Sequence, residues 1–246
     1  MPQAQKFLFL LCLWLFAGCA AQQQKYLWRV KDMALGQGPV VDLYGPHEQV
    51  FLSLPARTIQ ELMLAHIRIS RSANVQSELY IVDGDAPNAF TGMNNGQRII
   101  GISIGMVKLV GGETNEYAAL LGHEAAHWAK GHADAGRTRT STLNALGTLV
   151  GVGLSSAGVP AAGLISGVGV DLIDSSYNRD QEREADVQSM EYMLANNYDP
   201  RAAITLHEKL LKIDSGLGLP FLSSHPSGEE RIQNLRALIE AKKPAP

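Results

Sequence analysis

His123-Glu124-Ala125-Ala126-His127 places two imidazoles four residues apart with a carboxylate beside the first. On an α-helix, at about 100° per residue, the two rings fall roughly 40° apart on one face and one turn from each other. That is the spacing a helix needs to aim two histidines at one zinc ion, with a glutamate within reach of a water at the metal. The flanks suit a helix. Glu113 and Glu116 lie near its start, where carboxylates complement the dipole, and Thr114 is the expected N-cap. Ala118, Leu121, Ala125 and Trp128 lie opposite the histidines and Gly131 is the expected stop, so an amphipathic helix with its ligands facing a cleft is predicted. Composition alone would produce such a motif in about one chain in a hundred of this length, so corroboration has to come from elsewhere in the chain.

A catalytic zinc site usually takes three protein ligands. The pattern with a glycine three residues and a histidine six residues after the second histidine is excluded, because Lys130 and Ala133 stand there. His132 lies about 180° round the helix from His123 and reads as structural. The better third ligand is Glu182, in Asp180-Gln181-Glu182-Arg183-Glu184-Ala185-Asp186 on a second helix expected from about Arg179 to Asn196. Glu182 and Asp186 are four apart and share a face. One carboxylate can bind the metal while the other accepts the free N–H of a ligand histidine and fixes its tautomer. Glu184 and Glu191 fall on the far side of that helix and read as solvated.

H-E-x-x-H followed by E-x-x-x-D in a Gln-Glu-x-Glu-Ala-Asp context resembles the gluzincin family of the CAAX prenyl endopeptidases and the bacterial heat-shock membrane protease, above all its small periplasmic lipoprotein members. Pro87-Asn88-Ala89-Phe90 resembles that family's Asn-Ala-Phe strand. His225-Pro226 with Arg231 resembles its His-Pro-x-x-x-x-Arg segment, and the four blocks stand in family order. The resemblance implies an α+β, mainly helical, zincin-like metalloprotease fold with a small sheet beside the H-E-x-x-H helix. It implies one Zn2+ per chain on His123, His127 and Glu182, with Glu124 as general base and Asp186 behind a ligand histidine. Asn88, Ala89 and Phe90 are expected on a sheet edge, where an unfolded or extended polypeptide substrate can add as a strand. His225 is expected on a loop near the metal, as a regulator or as a helper at the transition state. Thr91-Gly92-Met93-Asn94-Asn95-Gly96 departs from the family's usual run, which bears on substrate preference and not on fold, since Asn-Gly keeps the hairpin turn.

The N-terminus carries a localisation expectation. Lys6 precedes an apolar run from Phe7 to Phe16, followed by Leu15-Phe16-Ala17-Gly18-Cys19. This is a secretory signal ending in a lipobox-like sequence, with Phe16 where leucine is commoner. Residues 1–19 are expected to be removed as far as Cys19, the lipidation site. Ala20 after it points to the periplasmic face of an outer membrane, the alternative being plain signal cleavage near Ala20. Residues 20–56 are a tether and N-terminal segment, 57–241 the zinc metalloprotease domain and 242–246 a tail. The only cysteines are Cys12 and Cys19, so the expected mature domain has neither a disulfide nor a thiolate ligand. A net charge of −3 gives no reason to expect nucleic acid, and no phosphate loop or serine-nucleophile elbow is present.

Elsewhere, residues 57–72 read as a helix with His66 on its packed side, and Leu79–Val82 and Arg98–Ile104 as strands. A small strand pair fits residues 26–55, and Asp199-Pro200 starts a further helix. Thr140 to Val170 holds 31 residues without a charge. Its glycines and central Pro160 suit a helical hairpin or flap over the cleft, with contact to a membrane as the alternative. The function expected is a zinc-dependent endopeptidase of misfolded envelope proteins, with oligomeric state open. Its rivals are a periplasmic chaperone or assembly factor with a zinc-bearing peptide groove, and a membrane-associated protease.

Overall fold

A computed structural model describes residues 26–136, 138, 170–172, 177–214, 218–226 and 228–242. Cys19, the signal, the tether up to residue 25 and almost all of the uncharged stretch 140–170 lie outside the described residues.

A five-stranded sheet in the order β1-β4-β6-β5-β7 backs the helices. Its strands are β1 (Leu27–Arg29), β4 (Glu78–Val82), β5 (Ala89–Asn94), β6 (Gln97–Ser103) and β7 (Val170–Leu172). β4 and β6 are parallel, and the other pairs are antiparallel. The β5–β6 hairpin turns at Asn95-Gly96, both at positive φ, the conformation that Asn-Gly adopts at least cost. β2 (Val40–Tyr44) and β3 (Val50–Pro55) form the separate strand pair expected in the N-terminal segment. That segment is no appendage to the domain, because β1 completes one edge of the main sheet against β4.

The helices are α1 (Val30–Ala34), α2 (Ala56–Ala73), α3 (Ile104–Val110), α4 (Thr114–Ala129), α5 (Arg179–Ala195), α6 (Arg201–Asp214), α7 (Pro220–Ser224) and α8 (Glu229–Ala241). The H-E-x-x-H helix, α4, is the axis of the fold. Ile59, Leu62 and Ile69 of α2 share its core with Leu121, Ala125 and Trp128, and the Trp128 indole donates to the Ile99 carbonyl on the central strand. Two expectations for α4 need correction. Its N-cap is Glu113, whose side chain makes no cap bond, while Thr114 begins the helix and its hydroxyl donates to Glu61 on α2. Nor is it amphipathic: every residue from Glu116 to Trp128 is buried, because elements pack on all its sides and the ligand face is enclosed. The stop is as expected, with Gly131 in left-handed backbone after Ala129.

α5 begins with a capping box, Asn178 accepting from the Gln181 N–H and the Gln181 side chain accepting from the Asn178 N–H. It lies against α4 at a close crossing. A Cβ added at Gly122 would stand 2.5 Å from Ser189 Oγ and 3.3 Å from Ser189 Cα, and that hydroxyl donates to the Ala119 carbonyl at 3.0 Å. The absent side chain of Gly122 thus sets how near the second ligand helix comes to the first. Gly122→Ala should destabilise the protein by about 1–3 kcal/mol through overpacking, read as a lower thermal midpoint. Adding Ser189→Ala should recover part of the loss. An unchanged midpoint in Gly122→Ala would show that the crossing has slack.

Candidate metal centre

α4 brings His123 and His127 together, α5 contributes Glu182, and the turn after α7 contributes His225. One ligand atom from each lies within 4.8 Å of all the others, and all four residues are buried. His123 Nε2 is 3.1 Å from His127 Nε2, 3.2 Å from His225 Nδ1 and 3.4 Å from Glu182 Oε2. Glu182 Oε1 is 3.3 Å from His127 Nε2 and 3.1 Å from His225 Nδ1. Three nitrogens and a carboxylate thus point inward at one small volume. Among the described residues this is the group of histidines and carboxylates able to hold a metal ion.

Arg231 supports the cluster from behind. From α8 its guanidinium bonds Glu182 through Nη1, and Asp186 through Nε at 2.8 Å and Nη2 at 2.5 Å. Asp186 Oδ1 in turn lies 3.1 Å from His123 Nδ1, the ring nitrogen facing away from the cluster. This is the carboxylate contact to a ligand histidine expected from the i, i+4 spacing. Burial opposes charge on Asp186, but Arg231 and His123 outweigh it and hold the carboxyl well below its usual range. Burial also opposes a proton on His123, but Glu182 and Asp186 outweigh it and raise the group to about 9. His127 goes the other way, burial driving it well below the ordinary histidine range. With Arg231 offsetting one of two buried carboxylates, a unit of negative charge is left for a proton on His123 or a bound cation to meet.

Glu124 is fully buried beside this cluster. Neither of its carboxylate oxygens has a hydrogen-bond partner among the described residues. Burial raises its affinity for a proton, while His225 and His123 pull the other way. His225 Nε2 approaches Glu124 Oε1 at 3.4 Å, outside hydrogen-bonding geometry, and is itself without a partner. An orphaned buried carboxylate costs free energy unless something else uses it.

The sheet-edge residues behave differently from one another. Ala89 is buried, and Phe90 packs with Val82 and Ile99 over Gly101, where any Cβ would collide with its ring. Asn88 is tied to Ser103 through its backbone in both directions. What this segment can offer a peptide is backbone, not side chain. The link to the cluster comes one residue on, at Thr91. Its hydroxyl is 2.9 Å from that of Tyr177, and the Tyr177 ring stacks on His127 with centroids 3.5 Å apart. Tyr177 and the role of Arg231 were not legible in the sequence, where Tyr177 is marked only by preceding the N-cap of α5. His132 lies outside the cluster and Glu184 is exposed, both as expected, but the two are in contact. The helix ends before His132, so its ring turns back to lie 3.2 Å from His127 Nδ1, and Glu184 holds its other nitrogen.

The model of peptidase family M48 matches residues 53–239. The chain belongs to that family. Its M48 match takes in all four sequence blocks and every residue of the cluster. Metalloprotease LoiP of Escherichia coli (strain K12) is 32% identical over 131 residues, covering 52% of this chain and 50% of that protein. Metalloprotease YcaL of the same organism is 27% identical over 129 residues, 52% of this chain and 51% of that one. The mitochondrial metalloendopeptidase OMA1 of Schizosaccharomyces pombe is 29% identical over 171 residues, 69% of this chain and 48% of that one. The chain thus spans about half the length of these curated relatives. Membership of M48 agrees with the expected gluzincin resemblance and with a zincin-like, mainly helical fold.

Arg231→Gln should leave two buried carboxylates with only the His123 proton to offset them and destabilise the metal-free protein by about 3–5 kcal/mol. Chemical denaturation would measure it. Asp186→Asn in the same chain should return part of the stability, and if it lowers stability further the charge argument is wrong.

Proposed function

We propose that the chain is a zinc-dependent endopeptidase. The observation that carries this is Glu124, a buried carboxylate with no hydrogen-bond partner among the described residues, beside three nitrogens and a carboxylate gathered at one point. Donor atoms of His123, His127, Glu182 and His225 stand 3.1–3.4 Å apart in five of the six pairs, close enough for the four residues to hold one small cation between them. Nitrogen and carboxylate donors without sulfur suit the same ion. When bound, zinc would polarise the scissile carbonyl and make water a nucleophile near neutral pH. Glu124, its proton affinity raised by burial, takes a proton from the attacking water and passes it to the leaving amide nitrogen. The C–N bond breaks, water supplies the new carboxyl oxygen, and no covalent enzyme intermediate forms.

Catalysis needs one coordination position left open. His225 Nδ1, 3.2 Å from His123 Nε2 and 3.1 Å from Glu182 Oε1, would fill that position, so on this reading His225 holds the site latent and withdraws before a substrate is cleaved. It stands at the end of the short α7, its ring stacked on Phe221 with centroids 4.6 Å apart, and the Ser224 carbonyl before it accepts from the Tyr177 N–H. An extended polypeptide would pair with the Ala89–Thr91 edge, since the described part of β7 covers only Gly92–Asn94. Lipidation at Cys19 would hold the enzyme at the periplasmic face of the outer membrane, where misfolded envelope proteins are its substrates. No helix among the described residues is long and apolar enough to cross a membrane.

Two experiments test this reading. Glu124→Gln should retain one zinc per chain and lose casein cleavage by about 10²-fold or more, and cleavage at the wild-type rate would refute the mechanism. His225→Ala should open the fourth position and raise cleavage of a short peptide several-fold. A fall below wild type would make His225 a helper at the transition state instead of a plug.

A further inference from the structure

His127 has its own support, separate from the Arg231–Asp186 pair behind His123. α4 stops at Ala129, Lys130 keeps helical backbone, and Gly131 at φ 71° reverses the chain. His132 therefore folds back beneath the helix and is buried, 7% exposed. Its Nδ1 is 3.2 Å from His127 Nδ1, and its Nε2 is 3.2 Å from Glu184 Oε2. Lys130 Nζ completes the chain at 2.9 Å from Glu184 Oε1.

Proton positions in this chain are forced by chemistry. A ligand histidine is neutral, and His127 turns Nε2 to the cluster, so its one proton is on Nδ1. That N–H can only donate to His132 Nδ1, which must be the bare nitrogen of its ring. The His132 proton is then on Nε2, where it donates to Glu184. The opposite arrangement would set two N–H groups against each other at 3.2 Å.

We propose that His132 is a positioning residue for the metal, holding His127 in its metal-binding tautomer by carrying the Glu184 carboxylate to it through a directed pair of hydrogen bonds. The two ligand histidines are thus supported from the same helix. Asp186 touches His123 directly, whereas Glu184 acts on His127 through an intervening imidazole. Tyr177, stacked on the His127 face at 3.5 Å, restrains tilt while His132 restrains rotation in the plane. The inference rests on the metal centre proposed above.

Chelator competition for zinc tests it, in a Glu124→Gln background that leaves activity out of the readout. His132→Leu removes the acceptor and should weaken zinc binding about 10–100-fold. His132→Asn puts an amide oxygen where Nδ1 was and should stay within a few-fold of the parent. A packing role predicts the reverse order, since leucine fills a buried site better than asparagine, so thermal midpoints of the metal-free proteins should not follow the zinc affinities. Equal zinc affinity in His132→Leu and the parent would overturn the relay while leaving the metal centre intact. A parent that binds no zinc would overturn both. Should His132→Leu not fold, Glu184→Gln decides: a few-fold weakening supports the relay, and parental affinity refutes it.

Discussion

Burying a carboxylate is costly unless a positive group comes with it, and the architecture around α4 follows from meeting that cost. Glu182 and Asp186 are brought to the centre of the molecule on α5, and Arg231 reaches both from α8. A lysine would not replace it, since a single ammonium cannot grip Asp186 through two nitrogens while a third reaches Glu182. This pairing ties the C-terminal helix to the ligand helix, orients the His123 ring through Asp186, and leaves one negative charge for a cation. Stability and metal binding therefore share the same groups. The absence of a side chain at Gly122 is the steric counterpart, because the close crossing it permits brings the helix carrying Glu182 up to the two imidazoles.

Legibility from sequence followed the range of the interactions. His123, Glu124, His127, Glu182 and Asp186 were readable because each pair sits on one helix, where spacing translates directly into direction. The hairpin at Asn95-Gly96 was a local signal of the same sort. Arg231 was visible as a residue but not as a clamp, since its partners lie 45 and 49 positions away. Tyr177 gave no signal at all, as stacking between distant rings leaves no periodicity. The contact of His132 with His127 was not legible for one reason: its direction was read from a helix continuing past Gly131, where the backbone reverses. The angle of about 180° is right for a continuing helix and irrelevant once the helix has stopped.

The predicted cleft is a different matter. Local pattern placed apolar residues opposite the histidines, which reads as a helix with one open face. Yet α4 is buried on all sides, its ligand face covered by Tyr177, His225 and α5. An enclosed polar face looks like an exposed one in sequence, since both need hydrophilic residues. The difference lies in whether every polar group finds a partner, and here the unpartnered ones are Glu124 and the outer nitrogen of His225.

The half-covered β5 edge has a consequence for selectivity. Among the described residues β7 lies on Gly92–Asn94 and no strand lies on that edge of Ala89 to Thr91, about 10 Å of strand at 3.3 Å per residue. So short a ladder offers two or three backbone hydrogen bonds, each worth about 1 kcal/mol net. That is far below the 5–15 kcal/mol holding an ordinary domain together. Such an edge cannot pull a strand out of a folded protein, and Ala89 and Phe90, turned into the core, read nothing of its side chains. If that edge takes substrate as proposed above, discrimination there is thermodynamic: a polypeptide qualifies by already being unfolded, whatever its sequence.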